Sequence, residues 1–218
     1  MIAAGLNRVR IVFLWVLCLG VALASWRFMI WGVEASMGFV AHHAAMRPIA
    51  FYGHVVLAPI ALALVPFQLW QGFRNKRPKL HRLLGRVYGV AVILSGMGGL
   101  WLAMTTNAGP IAAWGFGLLA VAWLGTTSYG ISFAMRGDYE RHRRWMIRSV
   151  ALTLSAVTLR LYLPLGFVLG MAFPVFYPGI AWLCWVPNVV IAEIVLRWSR
   201  RGQIKAITLA QSAHRAGA

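Results

Sequence analysis

Six apolar runs divide this 218-residue chain, and each is long enough to cross a lipid bilayer. They fall at about Ile11–Trp31, Ile49–Trp70, Val87–Met104, Ile111–Met135, Ile147–Met171 and Gly179–Trp198. A spanning helix needs ~20 mostly apolar residues, because each rises ~1.5 Å through a hydrocarbon core ~30 Å thick. Composition excludes the soluble alternative. Hydrophobic residues make up 61% of the chain and charged residues only 11%, against ~25% charged in an ordinary soluble domain. A soluble fold of this size has too little interior to hide that much apolar side chain. The sequence therefore predicts an all-α, polytopic transmembrane helix bundle, with residues 1–200 forming one domain. A basic tail, 201–218, follows and lies on the anionic inner leaflet.

Charge sets the orientation. There are 21 Lys and Arg residues but only 4 Asp and Glu. With both termini placed in the cytoplasm, every basic residue falls in a cytoplasmic loop or terminus except Arg27, Arg47 and Arg160. That asymmetry is the positive-inside pattern of a multi-pass inner-membrane protein. The basic residues sit in short clusters between apolar runs, with no nucleic-acid-binding motif beside them, so the partner is the bilayer and not nucleic acid. One alternative concerns the first run: Ala22-Leu23-Ala24 before Ser25 also reads as a signal-peptide cleavage site. Asn107–Pro110 and Phe173–Gly179 read as turns, and Gly32–Pro48 as an outer loop.

Arg160 falls well inside the fifth run, where a charge costs at least ~2.5–3.5 kcal/mol and needs a partner or a wet cavity. One reading is an interhelical clamp to Glu193 or Asn188 in the sixth helix. The other is that Arg160 receives an anionic group or a quinone oxygen. Helical spacing aligns it with His142, Ser149 and Thr153, a polar stripe that serves either as a ligand path or as glue between helices. On the third helix His81, Gly85, Tyr88, Val92 and Gly99 share a face. Its small residues either let backbones approach or leave room for a flat cofactor.

His81 and His142 each precede a spanning helix at the same membrane face. Paired imidazoles are a common axial set for haem iron, so both are candidate metal ligands, with Arg82, Arg86, Arg143 and Arg160 as candidate partners for the cofactor's carboxylates. His54 with His42 or His43 offers a second pair at the opposite face. Cys18 and Cys184 lie singly within apolar runs and form neither a zinc nor a disulfide pattern. Hydrolase and phosphate-loop motifs are absent.

The segments Leu80–Tyr88, with the run Leu-His-Arg-Leu-Leu-Gly-Arg-Val-Tyr, and His142–Ser149, with His-Arg-Arg-Trp-Met-Ile-Arg-Ser, resemble a bacterial membrane-protein family, domain of unknown function 2306. Arg160 and Trp182–Asn188 extend that resemblance, which covers about His54 to Glu193. The family implies a membrane fold without an assigned activity. A looser similarity to membrane b-type cytochromes implies haem b, and with it a quinone or a membrane redox partner. Three functions follow: a redox protein of the inner membrane, a small transporter or lipid-handling protein using Arg160, and a non-catalytic accessory subunit.

The orientation is directly testable. Reporter fusions after Asn75 and after Asn107 are expected on opposite sides of the membrane, cytoplasmic and external respectively. Both reporters on one side would contradict the topology.

Overall fold

The computed structural model describes residues 2–200, with side chains from Val9 onward, so the tail 201–218 lies outside the described residues. The described chain is helical, without strands. Its elements are α1 (Ile2–Ser25), α2 (Phe28–Met37), a 3-10 turn (Gly38–Val40), α3 (Ala41–Met46), α4 (Pro48–Leu69), α5 (Gln71–Lys76), α6 (Pro78–Met104), α7 (Gly109–Met135), α8 (Tyr139–Thr153), α9 (Ser155–Val168) and α10 (Phe173–Leu183). Five stretches are long and apolar enough to span: α4, α6, α7, the near-continuous Tyr139–Val168 and Phe173–Arg200; the bent pair Val9–Ser25 with Phe28–Met46 makes a sixth when counted as one. Local chemistry sets several starts. Pro48 and Pro78 sit at the first positions of α4 and α6, where the missing N–H costs no helical hydrogen bond. Asp138 caps α8, its carboxylate accepting from the Arg141 amide at 3.0 Å.

The first run departs from expectation. Instead of one helix to Trp31, α1 stops at Ser25 and the chain bends by 83°. Three hydrogen bonds fix the bend. Ser25 Oγ donates back to the Val21 carbonyl at 2.6 Å. The Trp26 indole donates to the Val56 carbonyl of α4 at 3.2 Å. Arg27 Nη2 donates to the Ser36 carbonyl at 2.6 Å. Val56 lies two turns inside α4, so α1 ends below the rim of the bundle. The expected loop Gly32–Pro48 is helical instead. In it α2, the 3-10 turn and α3 form a lid across the bundle end, with Gly32 at φ 77° providing the break that a side chain would resist. The expected turn at Phe173–Gly179 is also helical, because the reversal occurs earlier, at Gly170 with φ 70°.

All the arginine-rich segments lie at the end away from the lid. Trp15 of α1 packs on Phe67 at 4.6 Å, at the far end of α4. Arg148 of α8 meets Glu193 near the end of the last span. The two ends are termed here the lid end and the basic end.

The core is tied by a buried hydroxyl network. Tyr88 Oη on α6 lies 2.7 Å from both Ser149 Oγ and Thr153 Oγ1 of α8. Trp123 Nε1 of α7 donates to Thr153 Oγ1 at 2.9 Å, and Thr127 Oγ1 lies 2.7 Å from Ser149 Oγ. Three helices are thereby joined with every hydroxyl engaged, which apolar contact alone does not achieve in lipid. Outward, Val90, Leu94, Met97 and Trp101 of α6 are exposed, the apolar face a bilayer would cover.

The small residues of α6 serve close packing. A β-carbon on Gly98 would lie 2.6 Å from the Ala50 carbonyl oxygen of α4, and one on Gly89 would meet Ile131 of α7 at 2.8 Å. The Ala50 backbone has no rotamer by which to yield. Gly98→Ala is therefore expected to destabilise the protein by ~1–3 kcal/mol, the usual cost of overpacking. A fall in detergent-solubilised melting temperature reads it out. Gly117→Ala, at a position with open space, is the control expected to show little change.

Candidate functional site

Beneath the lid is a cavity of about 650 Å³. Its walls come from every part of the fold at that end: the bend after α1, the lid, α4, α6, α7, α9 and α10. Most of the lining is apolar, including Phe39, Phe51, Phe116, Trp123 and Phe167. Into it project Arg27, His43, His54 and Arg160. Size, apolar walls and a few convergent polar groups are the attributes of a small-molecule site.

Arg160 is carried by α9. Its Nη1 donates to the Ala156 carbonyl one turn back at 3.0 Å, and no carboxylate meets it. This overturns the clamp to Glu193 or Asn188. Glu193 is held instead by Arg148, through Nε–Oε1 at 2.5 Å and Nη2–Oε2 at 3.0 Å. Arg148 also lies 4.9 Å over the Trp145 ring, which stacks on Tyr129. Asn188 is engaged by Ala151, Cys184 and Thr158. Depth explains the exchange: Glu193 sits near the basic end, level with Arg148 and far along the span from Arg160.

The four carboxylates of the chain are all accounted for. Glu193 pairs with Arg148 and Asp138 with Arg141. Glu140 is exposed in the first turn of α8, and Glu34 is exposed on the lid. None lines the cavity. Arg27 shares the cavity with Arg160.

The histidines supply neutral polar groups. His54 Nδ1 lies 2.9 Å from the Ser95 carbonyl, and the ring rests where a β-carbon on Gly99 would collide with it at 2.8 Å. His43 is only 4% exposed, and its Nδ1 has no hydrogen-bond partner among the described residues. Burial, aided by His42 and Arg47, pushes the His43 imidazole down to about 4, so it is uncharged at neutral pH. Prolines add backbone polarity. Pro59 and Pro164, both lining the cavity, lack the N–H that a regular helix would direct to the carbonyls of Val55 and Arg160.

The polar stripe of the fifth run thus divides. Ser149 and Thr153 belong to the hydroxyl network and Arg160 to the cavity. His142 is at the basic end, its Nδ1 2.8 Å from the Gly130 carbonyl. His81 lies at the same end, in the first turn of α6, and its own buried Nδ1 is unpartnered among the described residues. With Nδ1 of His142 donating to a carbonyl, Nε2 is left as a lone-pair donor, the arrangement that orients metal-bound imidazoles. Arg82, Arg86 and Arg143 are exposed near these histidines in sequence, and neither they nor the pair line the cavity. Arg160 belongs to the opposite end and is no part of that group. Sequence reasoning missed Arg27 and His43 as cavity residues. The one available signal for Arg27 was its place among the few basic residues outside the arginine-rich loops.

Fold and site together define a multi-pass α-helical membrane protein with an internal cavity. The chain belongs to the family described as predicted membrane protein (DUF2306), whose model matches residues 51–196. No curated protein and no solved structure matches it.

The two arginines in the membrane should respond oppositely to removal. Arg148→Leu strands Glu193 and is expected to lower the melting temperature, by less than the ~3–5 kcal/mol of a fully buried pair because both groups are partly exposed. Arg160→Leu breaks no ion pair and is expected to leave the melting temperature unchanged or raise it. A large loss of stability in Arg160→Leu would contradict the unpaired placement.

Proposed function

We propose that this protein binds a small amphipathic molecule within the membrane, in the cavity beneath the lid, and acts as a lipid-handling or transport protein. The observation that carries the reading is Arg160: a guanidinium facing a roomy apolar cavity with no carboxylate beside it. A buried cation is expensive in hydrocarbon, so such a residue marks a ligand or ion path. The basic end faces the cytoplasm of a bacterial inner membrane under the positive-inside rule, which puts the lid and cavity on the external side.

A second reading rests on a different place. His81 and His142 hold haem b at the basic end, with Arg82, Arg86 and Arg143 as partners for its propionates. What favours it is the His142 ring held by the Gly130 carbonyl and, at the same end, the unpartnered Nδ1 of His81. Haem would supply one-electron chemistry with a quinone or a membrane redox partner.

The readings separate experimentally. For the first, a panel of amphiphiles is expected to include members that raise the melting temperature of the wild type but not of Ala120→Trp, which fills the cavity from a buried position on α7. No stabilisation by any amphiphile, or equal stabilisation of both proteins, would refute it. For the second, protein from haem-replete cells is expected to show a Soret band that His81→Ala and His142→Ala each remove. A wild-type preparation without Soret absorbance would end that reading.

A further inference from the structure

The charge at the cavity specifies more than an amphiphile. Two guanidinium groups, Arg27 and Arg160, line one cavity whose walls are mostly apolar and hold no carboxylate. Each has only a backbone carbonyl as a close partner: Ala156 for Arg160, Ala24 and Ser36 for Arg27. A carbonyl accepts a hydrogen bond but supplies no countercharge. Guanidinium presents five donors in a planar fork, so Arg160 keeps donors unspent. None of the four Asp and Glu side chains lines the cavity. His43, 4% exposed with a free Nδ1, adds an uncharged imidazole to the same space. A neutral head group would supply no countercharge, whereas one anionic head between the two arginines supplies it and takes up the spare donors in charge-assisted bonds.

The rest of the cavity wall suits a chain. Leu102, Leu163, Phe167 and Val168 line it, and Val168 is 83% exposed on the outer surface of α9. The apolar wall therefore continues from the arginines toward the lipid-facing surface.

We propose that the ligand is a single-chain lipid anion of the fatty-acid class, its carboxylate held between Arg27 and Arg160 and its tail running along α9 toward the bilayer. This rests on the cavity being a ligand site, and it adds the charge of the head group. Weaker binding of neutral lipids, quinones included, follows from the same two arginines.

Radiolabelled hexadecanoate, hexadecan-1-ol and methyl hexadecanoate, presented to the detergent-purified full chain at a pH that ionises the acid, test it. All three share the tail and differ in the head. Hexadecanoate is expected to bind about tenfold more tightly than the alcohol or the ester, the value of one charge-assisted hydrogen bond. Arg160→Gln and Arg27→Gln are each expected to remove that preference, with hexadecanoate falling to the affinity of the alcohol measured on the same variant. Equal binding of the three probes, abolished by Ala120→Trp, would overturn the anionic head while leaving the cavity reading intact. A preference that survives both arginine substitutions would also overturn it. Failure of all three probes to bind would overturn both. The ester and alcohol comparison is made on wild-type protein, so it stands even if an arginine variant fails to fold.

Discussion

A charge buried in hydrocarbon must be compensated, and this chain has few means to do it. Four carboxylates face 21 basic residues. Most of the basic residues escape the difficulty at the basic end, where water and lipid phosphates are available. One pair is formed between spans, Arg148 with Glu193, and it anchors the last span to α8. Arg160 has no such outlet. The structure around it answers with space: a lid folded over the bundle end, prolines that withhold backbone donors, and a second arginine turned inward. The cavity exists because those elements do not close over Arg160.

The adjoining part of the bundle is cross-linked by buried hydrogen bonds and gives the cavity a floor. Tyr88, Trp123, Thr127, Ser149 and Thr153 link α6, α7 and α8 through hydrogen bonds of 2.7–2.9 Å. Trp123 and Thr153 also line the cavity, so the network ends where the cavity begins. On the other side, Gly98 and Gly99 bring α6 against α4 and hold His54 in place. The polar groups of the site are therefore fixed by packing that lies outside it.

Much of this was legible in the sequence because bilayer physics is one-dimensional. Run length against bilayer thickness gave the spans from Ile49 onward with only their ends displaced, and charge clustering separated the two ends. The departures come from lateral contacts that periodicity does not encode. The break after Ser25 depends on Trp26 reaching Val56 and Arg27 reaching Ser36, and hydropathy alone reads through it. Glu193 was matched to Arg160 by helix adjacency, whereas its depth matches Arg148, a residue grouped with the cytoplasmic cluster by charge alone. Arg160 was singled out because an intramembrane arginine is conspicuous. Its companions Arg27 and His43 were not, since they reach the cavity only when the lid folds back over it.

The central claim is that Arg160 faces a ligand and not a protein partner. Non-denaturing mass spectrometry of the protein, released from its native membrane without added ligand, tests it most directly. The account predicts a co-purifying lipid-sized adduct on the wild type, absent from both Arg160→Gln and Ala120→Trp. A wild-type protein that carries no adduct, or an adduct retained equally by both variants, would contradict it.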